Sequence, residues 1–267
     1  MSIYTITCDS LSAIGRLAVF LNQEFGRITL FFAEGFIHIF SRPFQLTKII
    51  YQIYFIGMKS TFVICLTGAF AGMVLGLQGY YTLIKFGSEG LLGAAVSLSL
   101  IRELGPVLTA IMITARAGSA MAAEVGIMRI SEQIDALETM NINPLRFLVS
   151  PRIAAGLISF PLLTAIFDVV GIFGGYLTGS GLLGVSPGIY FARAESSVLM
   201  EDITGGFIKS IIFSIIVVTV CCYQGYFTHL RLKGFGAEGV SYSTTSAVVI
   251  SCIMILVSDY ALTSFLL

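Results

Sequence analysis

The 267-residue chain is 56% hydrophobic and only 11% charged, with a mean hydropathy of +0.93, where soluble domains carry about 25% charged residues. That balance excludes an ordinary water-soluble domain and marks an integral membrane protein. A formal net charge of zero argues against nucleic acid as a partner, which requires a basic footprint.

Residues 1–50 are not continuously apolar. Arg16, Glu24, Arg27, Glu34, His38 and Arg42 interrupt Phe20, Phe31, Phe32, Phe36 and Phe40, the pattern of a helix lying in a membrane interface. No short apolar core followed by a small-residue cleavage site opens the chain, so a cleaved signal peptide is not expected. Residues 51–267 form one membrane domain. Crossing a bilayer needs about 20 apolar residues, and five such runs are read, at 53–80, 88–114, 153–180, 205–228 and 240–266. The fold class is therefore an all-α integral membrane protein, an interfacial helix followed by five spans.

Between spans two and three, residues 116–152 hold eight of the chain's thirty charged side chains. Ile127, Ile130, Ile134, Leu137 and Asn141 recur on one helical face, while Glu132, Gln133, Asp135 and Glu138 fall mostly on the other. An amphipathic helix at the membrane surface is expected there, available to a soluble partner. Arg16, Arg27, Arg42, Lys48, Arg116, Arg129, Arg146, Arg152, Arg231 and Lys233 group on one side of the spans, against Lys85 and Arg193 on the other. The positive-inside rule then puts the N-terminus in the cytoplasm and the C-terminus outside. The outer connection from Ser186 to Asp202 begins with a cap residue and Pro187 and reads as a short helix.

Small-residue spacings at Gly72 and Gly76, and at Gly171, Gly175 and Gly179, permit close helix crossing. Cys8, Cys65, Cys221, Cys222 and Cys252 form no C-x-x-C pair and read as packing residues. His38 and His229 are too isolated for a zinc site. Arg102 and Glu103 fall within span two, where an ionised side chain costs about 2.5–3.5 kcal/mol and needs a partner or water. Lys209, at the outer start of span four, joins Arg102 as a candidate for an anionic headgroup, which a guanidinium binds bidentately. Lys59 reads as a snorkelling residue, and Asp168 and Asp259 as satisfied structural carboxylates.

The runs GMVLGLQGY (72–80), LIRELGPVLTAIMITARAGSAMAAEVG (100–126) and EQIDALETMNINP (132–144), with FIKSIIF (207–213), resemble the MlaE/YrbE family, permease subunits of ABC-type lipid transporters. The resemblance covers residues 50 to 267. It implies a homodimer in the bacterial inner membrane that works with a cytoplasmic ABC ATPase, a periplasm-facing MCE-domain protein and a STAS-domain protein, moving phospholipid between the inner and outer membranes. It implies a lipid pocket built around span one, with Leu75, Tyr80, Leu83 and Phe86 as apolar candidates and Arg102, Glu103 and Lys209 at matching polar positions. Glu132 and Asp135 match the coupling segment that meets the ATPase. No cofactor is expected in this chain, since G-x-x-x-x-G-K-[ST] does not occur and GGFIKS at 205–210 lacks its glycine spacing. ATP and Mg belong to the partner, and the chain is not itself an enzyme. Two other readings are a membrane scaffold without a lipid path and a permease for another hydrophobic cargo, such as a sterol.

Overall fold

A computed structural model describes residues 15, 19, 22–24, 26–40, 45–230 and 236–266. Cys8, Arg16, Phe20, Arg42, Arg231 and Lys233, which entered the readings above, lie outside the described residues. No strand occurs among those described. Helix α1 is described at 22–24 and 26–37. Five helices long and apolar enough to cross a membrane follow: α2 (Leu46–Phe86), α3 (Glu89–Ile130), α5 (Leu145–Leu182), α7 (Met200–Tyr226) and α8 (Gly236–Leu266). Two short helices lie between them, α4 (Gln133–Thr139) and α6 (Pro187–Ser197).

Spans α7 and α8 differ from the apolar runs that announced them by a few residues, whereas α2, α3 and α5 run well beyond theirs. Charged residues inside them are satisfied by other helices, so the helix continues where composition alone reads a loop. Arg116 belongs to α3 rather than to a cytoplasmic connection, and Arg152 lies in α5 with only 2% of its surface exposed. Only 131–144 connects the two spans.

That connection is broken where a single amphipathic helix was expected. Ile127 and Ile130 end α3, Glu132 takes a left-handed conformation (φ 59°), and α4 spans seven residues before Asn141 turns the chain again (φ 57°). Only Ile134 and Leu137 of the expected stripe are buried on α4 itself, and Ile127 is 55% exposed.

Backbone approach sets the packing of α2 on α5. A Cβ on Gly72 would overlap the carbonyl oxygen of Gly171, and one on Gly76 would meet the hydroxyl of Thr178 and the carbonyl of Gly175. The small-residue ridges are therefore used within one chain. Helix α7 is the most enclosed span, with 61% of its most apolar window buried, and α8 the least, with 11%. In the connection between α5 and α7, Tyr190 of α6 is fully buried and donates its hydroxyl to the Ile172 carbonyl at 3.0 Å. Burial raises its phenol well above the ordinary range. At the other end Phe31 of α1 packs on Tyr223, Tyr226 and Phe227, and the Tyr223 hydroxyl donates to Glu24 at 2.6 Å.

Three spans contain wider π-helical turns, five in all: Tyr54–Met58 in α2, Leu100–Leu104 and Thr114–Gly118 in α3, and Leu145–Val149 and Leu177–Leu182 in α5. Such turns free main-chain carbonyls and concentrate at functional positions. The Arg116 side chain, in one π turn, donates to the Phe55 carbonyl in another, and to the Ser60 hydroxyl at 3.1 Å.

Candidate functional site

Arg102 and Glu103 sit in the π turn Leu100–Leu104, immediately before Gly105 and Pro106. Proline has no N–H, so the Arg102 carbonyl loses the donor that an ordinary helix supplies four residues later. Lys209 fills that vacancy from α7, donating through Nζ at 2.9 Å. The same ammonium donates to Glu103 Oε2 at 2.8 Å and to Thr263 Oγ1 at 2.7 Å, and lies 3.0 Å from Asp259 Oδ1 as an ion pair. The Thr263 hydroxyl in turn donates to Glu103 Oε1 at 3.1 Å. With 2% of its surface exposed, Lys209 is a buried cation with a complete shell, as burial of a charge requires.

Arg102 is held differently. Its Nε donates to Asp202 Oδ1 at 2.6 Å, and Asp202 Oδ2 accepts the Leu199 N–H at the start of α7 at 3.0 Å. The Arg102 side chain remains 40% exposed, and its two terminal nitrogens make no hydrogen bond among the described residues. Arg102, Glu103, Asp202, Gly206, Lys209 and Thr263 line a cavity of about 210 Å³. Two cations and three carboxylates meet here, so the cluster is not the pair of free cations that residue identity alone indicates.

Neither Asp259 nor Asp168 is the fully hydrogen-bonded carboxylate that was expected: Asp259 Oδ1 has the Lys209 charge at 3.0 Å but no hydrogen bond, and Asp168 has no cation in reach among the described residues. Its buried Oδ1 has no hydrogen-bond partner, nor has the buried Thr164 hydroxyl, and both line a second cavity of about 170 Å³ with Ile101, Gly206 and Phe207. Gly206 forms part of both walls. Gly105 leaves room for Asp168, because a Cβ there would overlap the carboxylate oxygen.

The apolar candidates lie elsewhere. Leu75, Tyr80 and Leu83 of α2 are half-buried against the core, and Phe86 at the end of α2 is 77% exposed. None of the four lines the Arg102 cavity. Lys59 is exposed and lies beside the rings of Tyr54 and Phe55.

The coupling candidates are also separated by the fold. Glu132 is exposed at the left-handed turn, whereas Asp135 accepts from Arg129 Nη1 at 2.8 Å. Arg129 Nε donates to His229 Nδ1 at 3.0 Å, and the Tyr226 hydroxyl donates to Glu138 at 3.3 Å. Burial, and then the Arg129 charge, hold the His229 imidazole below its ordinary pKa. Helix α4 is thus fastened to the ends of α3 and α7. Those are the two helices that also carry Arg102 and Lys209, with Arg102 roughly 40 Å from Arg129 along α3 at 1.5 Å per residue.

Residue-by-residue reading did not reveal Asp202, Thr263 or the Arg129–His229 contact. Pro106, four residues after Arg102, was the available signal that the Arg102 carbonyl required an outside donor.

The family model described as Permease MlaE matches residues 49–265. The Haemophilus influenzae intermembrane phospholipid transport system permease protein MlaE is 39% identical over 261 residues, covering 96% of this chain and 97% of that protein. A probable ABC transporter permease protein of Rickettsia conorii is 39% identical over 252 residues, 94% of this chain and 95% of the relative. The chloroplastic protein TRIGALACTOSYLDIACYLGLYCEROL 1 of Arabidopsis thaliana is 35% identical over 240 residues, 90% of this chain and 65% of its own length. With five spans and a match across nearly the whole membrane domain, this chain belongs to the MlaE permease family.

Proposed function

We propose that this protein is the permease subunit of an ABC transporter that moves phospholipid between the inner and outer membranes, contributing to outer-membrane lipid asymmetry. It works from the inner membrane as a homodimer, N-terminus in the cytoplasm and C-terminus in the periplasm, with a cytoplasmic ATPase that supplies ATP and Mg chemistry, an MCE-domain protein and a STAS-domain protein. The Haemophilus relative's name supports the cargo. The residue-level observation that carries it is Arg102: a guanidinium fixed through Nε to Asp202, with its two terminal nitrogens left for a ligand at a cavity mouth. That arrangement suits a phosphodiester. Glu103 and Lys209 hold Arg102 in place through its own carbonyl, and Leu75, Tyr80, Leu83 and Phe86 of α2 provide the apolar surface for acyl chains. Exposed Phe62, Phe70, Tyr260 and Phe265 on α2 and α8 offer faces for a second copy.

Coupling follows from the attachments of α4. If nucleotide states of the ATPase favour different positions of α4, the Asp135–Arg129 and Glu138–Tyr226 contacts pass the difference to α3 and α7, and so to the walls of the Arg102 cavity. Native mass spectrometry with lipid extraction, on the complex purified through this chain, tests the reading. Phospholipid retained by the wild type and lost from Arg102→Ala and Leu75→Asp complexes with all partners bound supports a lipid path here.

The scaffold reading finds support in one observation, the pairing of Lys209 with both Glu103 and Asp259, which gives those charges a purely structural task. Equal lipid retention in the intact variant complexes favours it. A neutral cargo such as a sterol leaves the Arg102 nitrogens without a ligand, and sterol in the extract in place of phospholipid identifies that case.

A further inference from the structure

At the end of the bundle that carries α4, a cavity of about 400 Å³ opens between the first turns of α2, the last turns of α3 and the beginning of α5. It shares no lining residue with the Arg102 cavity. Two cations face into it. Lys48 lies with Nζ over the ring of Phe147, and Arg152 is 2% exposed. Arg152 commits one terminal nitrogen to Glu124 Oε2 at 2.8 Å and the other to the Leu148 carbonyl at 3.0 Å. Its Nε is buried without a partner, and so is Oε1 of Gln52 on the opposite wall.

A buried guanidinium N–H lacking an acceptor is an incomplete site, because desolvation of the donor is left uncompensated. Reversing the Gln52 amide turns its acceptor into a donor, so Arg152 Nε, the Lys48 ammonium, the Gln52 amide and the Thr47 hydroxyl then form a set of donors around one space. An acceptor with several oxygens and negative charge completes that set. Glu124 is the single carboxylate on the wall, and it is already engaged by Arg152. Phe147, Leu148 and Met128 make the remainder of the lining apolar.

We propose that this cavity binds a phosphate group at the membrane surface, with Arg152 Nε and Lys48 Nζ as its principal donors. A glycerophospholipid headgroup and free phosphate share that chemistry. The proposal requires neither transport nor the Arg102 pocket, and its failure leaves the transport reading untouched.

Full-length protein stripped of lipid in detergent is titrated with dihexanoyl phosphatidylglycerol and, separately, with sodium phosphate. Thermal shift and hydrogen exchange at Thr47–Ile53 are followed. Lys48→Gln, on a partly exposed side chain, is expected to weaken binding about tenfold. Glu124→Gln removes the one negative charge on the wall and is expected to tighten binding by a similar factor. Response to phosphatidylglycerol alone assigns the headgroup, and equal response to phosphate assigns the free ion. No protection at 47–53 with either ligand, or both variants changing affinity in the same direction, overturns the proposal.

Discussion

Lys209 Nζ hydrogen-bonds the main-chain oxygen of Arg102 at 2.9 Å, taking the carbonyl that Pro106 leaves without its helical donor. One lysine therefore repairs a proline defect in a neighbouring helix and serves Glu103 and Asp259 as their shared counter-ion. Lys209→Met removes all of these contacts and leaves two carboxylates together, so it is expected to destabilise the fold by about 3–5 kcal/mol. Adding Glu103→Gln to that variant should restore part of the loss. Unfolding of the purified protein in mixed detergent micelles measures both; a single variant as stable as wild type contradicts this role.

Close backbone approach makes a sharper steric prediction. Gly72→Ala pushes a methyl group into the Gly171 carbonyl, and overpacking of this kind costs about 1–3 kcal/mol. Gly188→Ala in α6 meets nothing within 4 Å and serves as the control, expected to unfold like wild type. Comparable behaviour of the two variants would show that α2 and α5 cross less closely.

His229 gives a pH dependence whose sign follows from its lowered pKa. The folded state disfavours the imidazolium, so the unfolded chain takes up the proton first as pH falls. The contribution of the neutral ring to stability is complete above the ordinary histidine pKa of about 6.5, declines as pH falls below it, and levels off beneath the lowered folded value. The protection of α4 amides, their exchange rate relative to the intrinsic rate at each pH, should fall as pH drops from about 7 to about 5.5 in wild type and change less in His229→Gln. An identical pH response in both excludes the histidine as its origin.

Glu132 and Asp135 are separable by experiment because only Asp135 is fastened to Arg129. Glu132→Lys should impair transport while leaving α4 exchange unchanged, and Asp135→Lys should raise that exchange as well. The double variant is expected to bind the ATPase and lose lipid transport. Full transport by that variant, with the ATPase bound, defeats the coupling role assigned to this segment.

The spans were legible because apolar runs longer than a bilayer is thick have few alternatives. Their ends were not. Arg116 and Arg152 read as loop charges by composition, yet their partners, Phe55 and Glu124, lie on other helices and keep them in helical segments. Apolar periodicity from Ile127 to Leu137 survived the turn at Ser131 and Glu132, since a two-residue break leaves the three- and four-residue spacings in place. The residue types of the Arg102 cluster were visible, but its pairing was not, because Asp202 lies 100 positions away along the chain and only folding reveals it.

The shell of Lys209 also has a history in time. During synthesis α7 enters the membrane before α8, when Glu103 and the Arg102 carbonyl are already present but Asp259 and Thr263 have yet to arrive. Without α8 the ammonium keeps only Glu103 and the Arg102 carbonyl as partners, and α8 itself is the least buried of the spans. The cluster therefore fixes the depth and register of α8 polar group by polar group, because only one alignment of Asp259 and Thr263 meets the single cation of α7.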